Sequence, residues 1–482
     1  MKCLCKHKSF SIETLEIQKL NMKNKLLFIA FILFSKSFFA QKPTFHVQYS
    51  EPLAVFVFAK SLGINYGENP FKNEFKKSKY NVPKYTDLIA MLDTLQIDFT
   101  YQYYEFPYGS KIPGMTSAIL KKNLIHSSNI ADFKLRSVGL IPNSTLQKLS
   151  DLLTEFTPVY NELIYLPNKD KFEKQLESIS KFVETKNIAG YFETGLTFYN
   201  SSWDNSIPFE ISFYPLPNSQ GFSAEAFLNN AVSAIQTDMK DYNVLLSVML
   251  HEIYHILYDE QPLKIKNEIA NYFNQNPSKC SNYANLLLNE VLATAVGNGY
   301  VYENLDGKTD QGEWYNWQYI NLMAKKIYPT VLEYIQAKKP IDKNFIDNYI
   351  KLYEQNFPNW INEPNHTMTY RYVLSNNFSD IITIAQHFPY CSMSEAEDQI
   401  SELSIEKMKA TPLTKVIVVS SNHAHDLALI KKSFPELKKW KYRAESEFTY
   451  TIFLNDKSQL YIINQQKTPV ETLLKQLNSN SK

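Results

Sequence analysis

The chain has 482 residues, 44% of them hydrophobic and 21% charged, which is enough apolar material for a substantial core and roughly two to four domains. Its formal net charge of +1 excludes recognition of nucleic acid or acidic lipid through a global basic field. Abundant Tyr (32) and Phe (31) with scarce Gly (12) and many Lys and Asn give the composition typical of an AT-rich bacterial genome.

Residues 1–21 read as an upstream extension, with Met22 as the working start. Met22 to Lys25 is basic, Leu26 to Phe34 apolar, and Ser35 to Ala40 small-residue-rich apart from its Phe pair. Residues 22–40 therefore read as a secretory signal peptide, too short for a comfortable membrane span, with the cut expected after Ala40. Phe38 is untypical three residues before that cut, and an uncleaved signal anchor is the alternative. No Cys follows the apolar run, which argues against a lipid anchor. Secretion or periplasmic export is the expected destination. Cys280 and Cys391 would remain after cleavage, either as one disulfide or as two buried thiols.

Residues 41–200 read as a mainly helical N-terminal region: a strand and an apolar helix over 44–60, then amphipathic spacing over Lys84–Leu95, Ser144–Tyr160 and Asn168–Asn187. A core follows over 201–405. Phe209 to Pro217 alternates like a strand, and 223–236 reads as a second strand region or as a strand with a short helix. An apolar helix runs from Tyr242 to Tyr258, stopped by Gln261-Pro262. A second apolar helix spans 282–297 and ends at Gly297; 313–357 and Ser379–His387 are helical. Residues 410–482 change character and read as a small α/β appendage: a buried-type strand at Lys415–Ser421, a helix, a hairpin around Asn455–Ser458 and a closing helix. The fold class expected is α+β, mainly α.

The chemistry concentrates in His251-Glu252-Ile253-Tyr254-His255, an H-E-x-x-H pattern inside the Tyr242–Tyr258 helix. Positions i and i+4 share a helix face, so both imidazoles can reach one metal ion. Zinc accepts neutral imidazole nitrogen, and Glu252 stands where a carboxylate can take a proton from the attacking water. Two His and a Glu in an apolar helix are costly unless paired or bound to metal; a helix whose polar groups merely satisfy one another is the bland alternative. Zinc needs a further protein ligand. Gln261 stands where a third His would complete a metzincin pattern, so a carboxylate from a downstream helix is expected. Glu290, flanked by apolar residues in Leu286–Ala293, is the leading candidate, because its charge would otherwise be stranded. Glu268 is the rival in a polar, Lys-rich setting, and Asp259 and Glu260 at the end of the motif helix read as solvated.

H-E-x-x-H followed by a helix carrying Asn289-Glu290-x-x-Ala293 resembles the gluzincin class of zinc metallopeptidases, over roughly residues 205–300. The spacing to the Glu is longer than in the thermolysin group, and the Gly-x-Met-Glu-Asn signature of the large aminopeptidases is absent. The exported, Tyr-rich chain is also similar to secreted bacterial metallopeptidases. The resemblance implies a zincin-like core and a zinc-dependent hydrolysis of peptide or protein substrates. Such a site needs a donor for the developing oxyanion, and His366, Tyr370 and Tyr372 form the densest downstream cluster of donors. Asn289, Thr294 and Asp259 are candidates to hold the ligands' outer nitrogens. An edge strand within 223–236 is expected to align an extended substrate. His387, His423 and His425 read as structural or exposed, the last two being also able to bind adventitious metal, and His46 and His126 carry no motif. The expectation is an exported zinc metallopeptidase without nucleic-acid partners, using His251, His255 and Glu290 as ligands and Glu252 as base. The competing class is a non-catalytic exported binding protein built on the same scaffold.

Overall fold

A computed structural model describes residues 43–101, 106–108, 114–217 and 223–477. The expected signal peptide lies outside them. The molecule is mixed α/β and mainly helical, built around two sheets.

The first sheet has the order β1 (Phe45–Tyr49), β4 (Phe209–Leu216), β6 (Asn230–Gln236), β5 (Ala224–Phe227); a short pair, β2 (Thr100–Tyr101) with β3 (Gly114–Met115), stands apart. Strands β1, β4 and β6 are parallel, and β5 runs antiparallel at the edge. Alternation along β4 explains why the sheet is buried on both faces. Phe209, Ile211 and Phe213 enter one core, with the motif helix; Tyr214 and Leu216 enter the other, with the helices Glu51–Ser61 and Asn143–Tyr160. The N-terminal helices thus roof one face of the sheet, while the helices Leu166–Thr185 and Ile188–Tyr199 join the motif helix on the other side. Strands β5 and β6 form a hairpin through Leu228 and Asn229, with Leu228 in the left-handed region at φ 55°.

The motif helix is Asn243–Asp259, and the helix bearing Glu290 is Ser281–Ala293. The latter does not stop at Gly297. It passes into a π-helical turn, Thr294–Val301, then Tyr302–Asp306, and ends at Gly307 with φ 84°. Gly297 is needed for close approach instead: a Cβ there would sit 2.7 Å from the Cα of His251.

The second sheet has the order β10 (Phe448–Phe453), β11 (Gln459–Asn464), β9 (Thr414–Val419), β7 (Tyr370–Ser375), β8 (Met393–Glu397). Only β10 is antiparallel. The α/β unit therefore begins at Tyr370 and not near 410. Two strands hid from pattern reading. β7 carries the buried Arg371, whose guanidinium donates to the carbonyls of Met368 (3.1 Å) and Phe388 (2.8 Å). β8, Met-Ser-Glu-Ala-Glu, is an acidic edge strand with little apolar signal. The unit is not an appendage either: Tyr370, Tyr372, Leu374, Ile417 and Leu427 belong to the same core as the motif helix. No helix among the described residues is long and apolar enough to cross a membrane.

Candidate metal centre

The helical i, i+4 spacing places the Nε2 atoms of His251 and His255 3.2 Å apart. The Glu290 helix crosses this face and brings Glu290 Oε2 to 3.6 Å from His251 Nε2 and 3.5 Å from His255 Nε2. Ligands at 2.0–2.1 Å around a tetrahedral ion lie about 3.3–3.4 Å from one another. The three donor atoms thus have nearly the edge lengths of a zinc tetrahedron. Among the described residues they form the one group of three His, Cys, Asp or Glu side chains placed to hold a metal ion.

The groups that touch these donors favour the same assignment. His255 Nδ1–H donates to Asn289 Oδ1 at 2.9 Å, which turns its Nε2 toward the cluster, where a metal would displace the proton on that nitrogen. Glu290 Oε2 is buried with no hydrogen-bond partner, as is His251 Nδ1. Burial works against charge on Glu290, yet the neighbouring imidazoles hold its carboxyl far below the usual carboxylate range. Burial likewise opposes charge on His255, and the Glu290 carboxylate overrides it, raising the imidazole to about 10. The two shifts are one mutual attraction of carboxylate and imidazole across this space, where a zinc dication would equally balance the Glu290 charge. The residues present fit the ion.

Glu252 lies beside this cluster, its Oε1 4.0 Å from His251 Nε2. Burial raises its proton affinity above that of an ordinary carboxyl, against the pull of the two histidines. Edge strand β5 packs alongside the motif helix, so the 223–236 region supplies the strand expected beside the site. A cavity of about 240 Å³ opens on the Glu290 side, lined by Tyr108, Tyr258, Asn289, Glu290, Tyr370 and Met393.

Of the three expected oxyanion donors, the structure brings only Tyr370 to this cavity, with its hydroxyl buried and unpartnered. Tyr372 points along the second sheet and donates to Glu397 at 3.1 Å. His366 is fully buried in an aromatic cage, stacked on Tyr319 (4.6 Å between centroids) and bonded to the Tyr353 hydroxyl at 2.6 Å. Burial pushes its imidazole down to about 3, so it is a neutral core residue. Glu268 lies away from the centre in an exposed pair with Lys264. Thr294 is buried in the π turn with no partner for Oγ1, so it holds neither ligand. Outside the site, His46 pairs with Glu210, His423 with Asn464 and His425 with Asp426. Cys280 and Cys391 are both free thiols.

Two residues escaped sequence reading. The Tyr315 ring stacks on His251 (5.9 Å, 29°), and its hydroxyl reaches Glu290. Burial and the Glu290 charge keep that hydroxyl protonated. Tyr390 donates to the Tyr315 hydroxyl at 3.4 Å. Tyr315 sits in the aromatic run Trp314-Tyr-Asn-Trp317, whose composition marks it as notable but not as part of this site. Comparison with protein-family models, curated proteins and solved structures returned no match.

Proposed function

We propose that the chain is an exported zinc-dependent hydrolase that cleaves peptide bonds, with a zincin-like core in the gluzincin arrangement. The observation that carries this reading is the convergence of His251 Nε2, His255 Nε2 and Glu290 Oε2 beside the Glu252 carboxylate. A zinc ion held by these three side chains supplies Lewis acidity, polarising a carbonyl and acidifying water near neutral pH. Glu252 is the general base: it accepts a proton from the attacking water and returns one to the leaving amine. Its burial-raised proton affinity suits both transfers. Tyr315, stacked on His251, donates to the carbonyl oxygen as charge develops there, its hydroxyl turning from Glu290 to do so. The outer edge of β5 orients an extended peptide by main-chain pairing along the motif helix. The signal-like segment at 22–40 supports export, with Gln41 as the expected first residue of the mature protein.

The test is Glu252→Gln. Bound zinc should stay stoichiometric by elemental analysis, while turnover of a peptide library falls by about 10²–10⁴-fold. Full activity in that variant would sink the mechanism. Stoichiometric zinc in a wild type that cleaves nothing would assign the scaffold to a binding protein.

A further inference from the structure

Behind edge strand β5, on the sheet face opposite the motif helix, lies a second and larger cavity of about 540 Å³. That volume falls in the roughly 300–1,000 Å³ range of pockets that take small organic groups. Its floor is formed by Tyr214, Val232 and Ala234 of the sheet, and its roof by Phe56 and Phe71 of the N-terminal helices. All five belong to the apolar core that these helices build on the sheet. Lys121 and Glu225 stand at the β5 side as an ion pair, with the Lys121 Nζ 4.5 Å above the Phe227 ring. Lys60 and Asp98 line the cavity as well, so its four charges sum to zero and no excess of either sign selects an acidic or a basic guest.

The strand register connects this cavity to the metal centre. Glu225 pairs with Val232, and both face the N-terminal helices; Ala226 pairs with Ala231, and both face the motif-helix core. A peptide extended along the outer edge of β5 obeys the same alternation. One set of its side chains points toward the metal-bearing helix, and the other toward the N-terminal helices.

We propose that this cavity is a specificity subsite that takes a large uncharged side chain, aromatic or branched aliphatic, from a substrate strand paired to β5. The inference rests on the peptidase reading and deepens it by naming the substrate class. It also gives the N-terminal helices a task, since they form the roof of the subsite.

The experiment uses the full mature chain loaded with zinc and two peptide series, identical except for Phe or Ala at each position in turn. Wild type should prefer Phe at one position relative to the cut. Val57→Trp and Ser117→Phe fill the cavity from two different helices. Each should reduce cleavage of the Phe peptide at least tenfold while leaving the Ala peptide within about twofold, with zinc content and thermal unfolding as in wild type. The same ranking should appear in peptide binding to the Glu252→Gln protein, measured by calorimetry. A wild type that cleaves both series equally, or two folded variants that keep the wild-type ranking, overturns the subsite. A zinc-loaded wild type that cleaves no peptide overturns the peptidase reading and the subsite with it.

Discussion

Glu252 and Glu290 are carboxylates of one small site, and their surroundings drive their proton affinities apart. Glu252 is dominated by burial and holds its proton more tightly than usual; Glu290 meets two imidazoles and holds it far less. The first suits a proton shuttle and the second a permanent ligand. Replacing Glu290 with Ala should therefore cost more zinc affinity than the roughly 10–100-fold lost with a residue that only hydrogen-bonds to a ligand, read by competition with a chelator. Unchanged affinity would reassign the third ligand. His366 makes a different prediction. Its imidazole is held to about 3 in the fold, and the unfolded chain titrates near 6.5, so the unfolded state binds the proton first. Its contribution is fully present above about pH 6.5 and is lost as pH falls toward 3, by up to about 1.4 kcal/mol per pH unit. Urea midpoints at pH 7 and pH 5 should diverge more in wild type than in His366→Gln; equal gaps would refute the assignment. His251, Glu252 and His255 were legible because helical spacing alone joins them, and Glu290 because an isolated carboxylate among apolar residues needs a partner. His366 was misread because donor chemistry says nothing about burial.

At the scale of elements, the site depends on two helices approaching closely. Gly297 lies in the π turn that follows the Glu290 helix, and its missing Cβ lets that turn rest on the backbone of His251. A π turn inside a helix shifts the register of everything beyond it, and such turns recur at functional sites. Gly297→Ala should destabilise the fold by roughly 1–3 kcal/mol through overpacking and weaken zinc binding with it. An unchanged melting temperature and zinc affinity would show that the helices separate freely. In the sequence this glycine looks like a helix terminator, because a close approach between distant segments leaves no local trace. The motif helix is legible as a long apolar run and β4 as an alternating segment, whereas 223–236 does not separate β5 from β6 in the sequence. β7 and β8 are not legible, because a buried Arg and an acidic edge mask their alternation.

At the scale of the molecule, the second sheet braces the half that carries His251, His255 and Glu290. Asn282 at the start of the Glu290 helix donates to the Pro412 carbonyl (2.9 Å), and the Tyr283 hydroxyl bonds Thr414 (3.0 Å) and accepts from the Gln459 amide (3.1 Å). The helix that presents Glu290 is thus fixed at its N-terminal end by β9 and β11. Composition change near residue 410 suggested a separate appendage, and the change is real, but burial crosses it: one apolar core runs from the first sheet through the motif helix to β9 and β11. Domain boundaries are set by where contacts stop, which a linear sequence records poorly.

The Trp317 ring lies flat on Tyr390, 4.0 Å between centroids and 10° from parallel, and Tyr390 bonds the tyrosine that covers His251. An indole emitter is therefore linked to His251 by two ring stacks and the tyrosine–tyrosine hydrogen bond between them. Titrating zinc into metal-free protein should change tryptophan emission in wild type and not in Trp317→Phe. Equal responses would place the reporter on another of the five tryptophans. If the prediction holds, occupancy of the proposed site is readable from intrinsic emission without any added label.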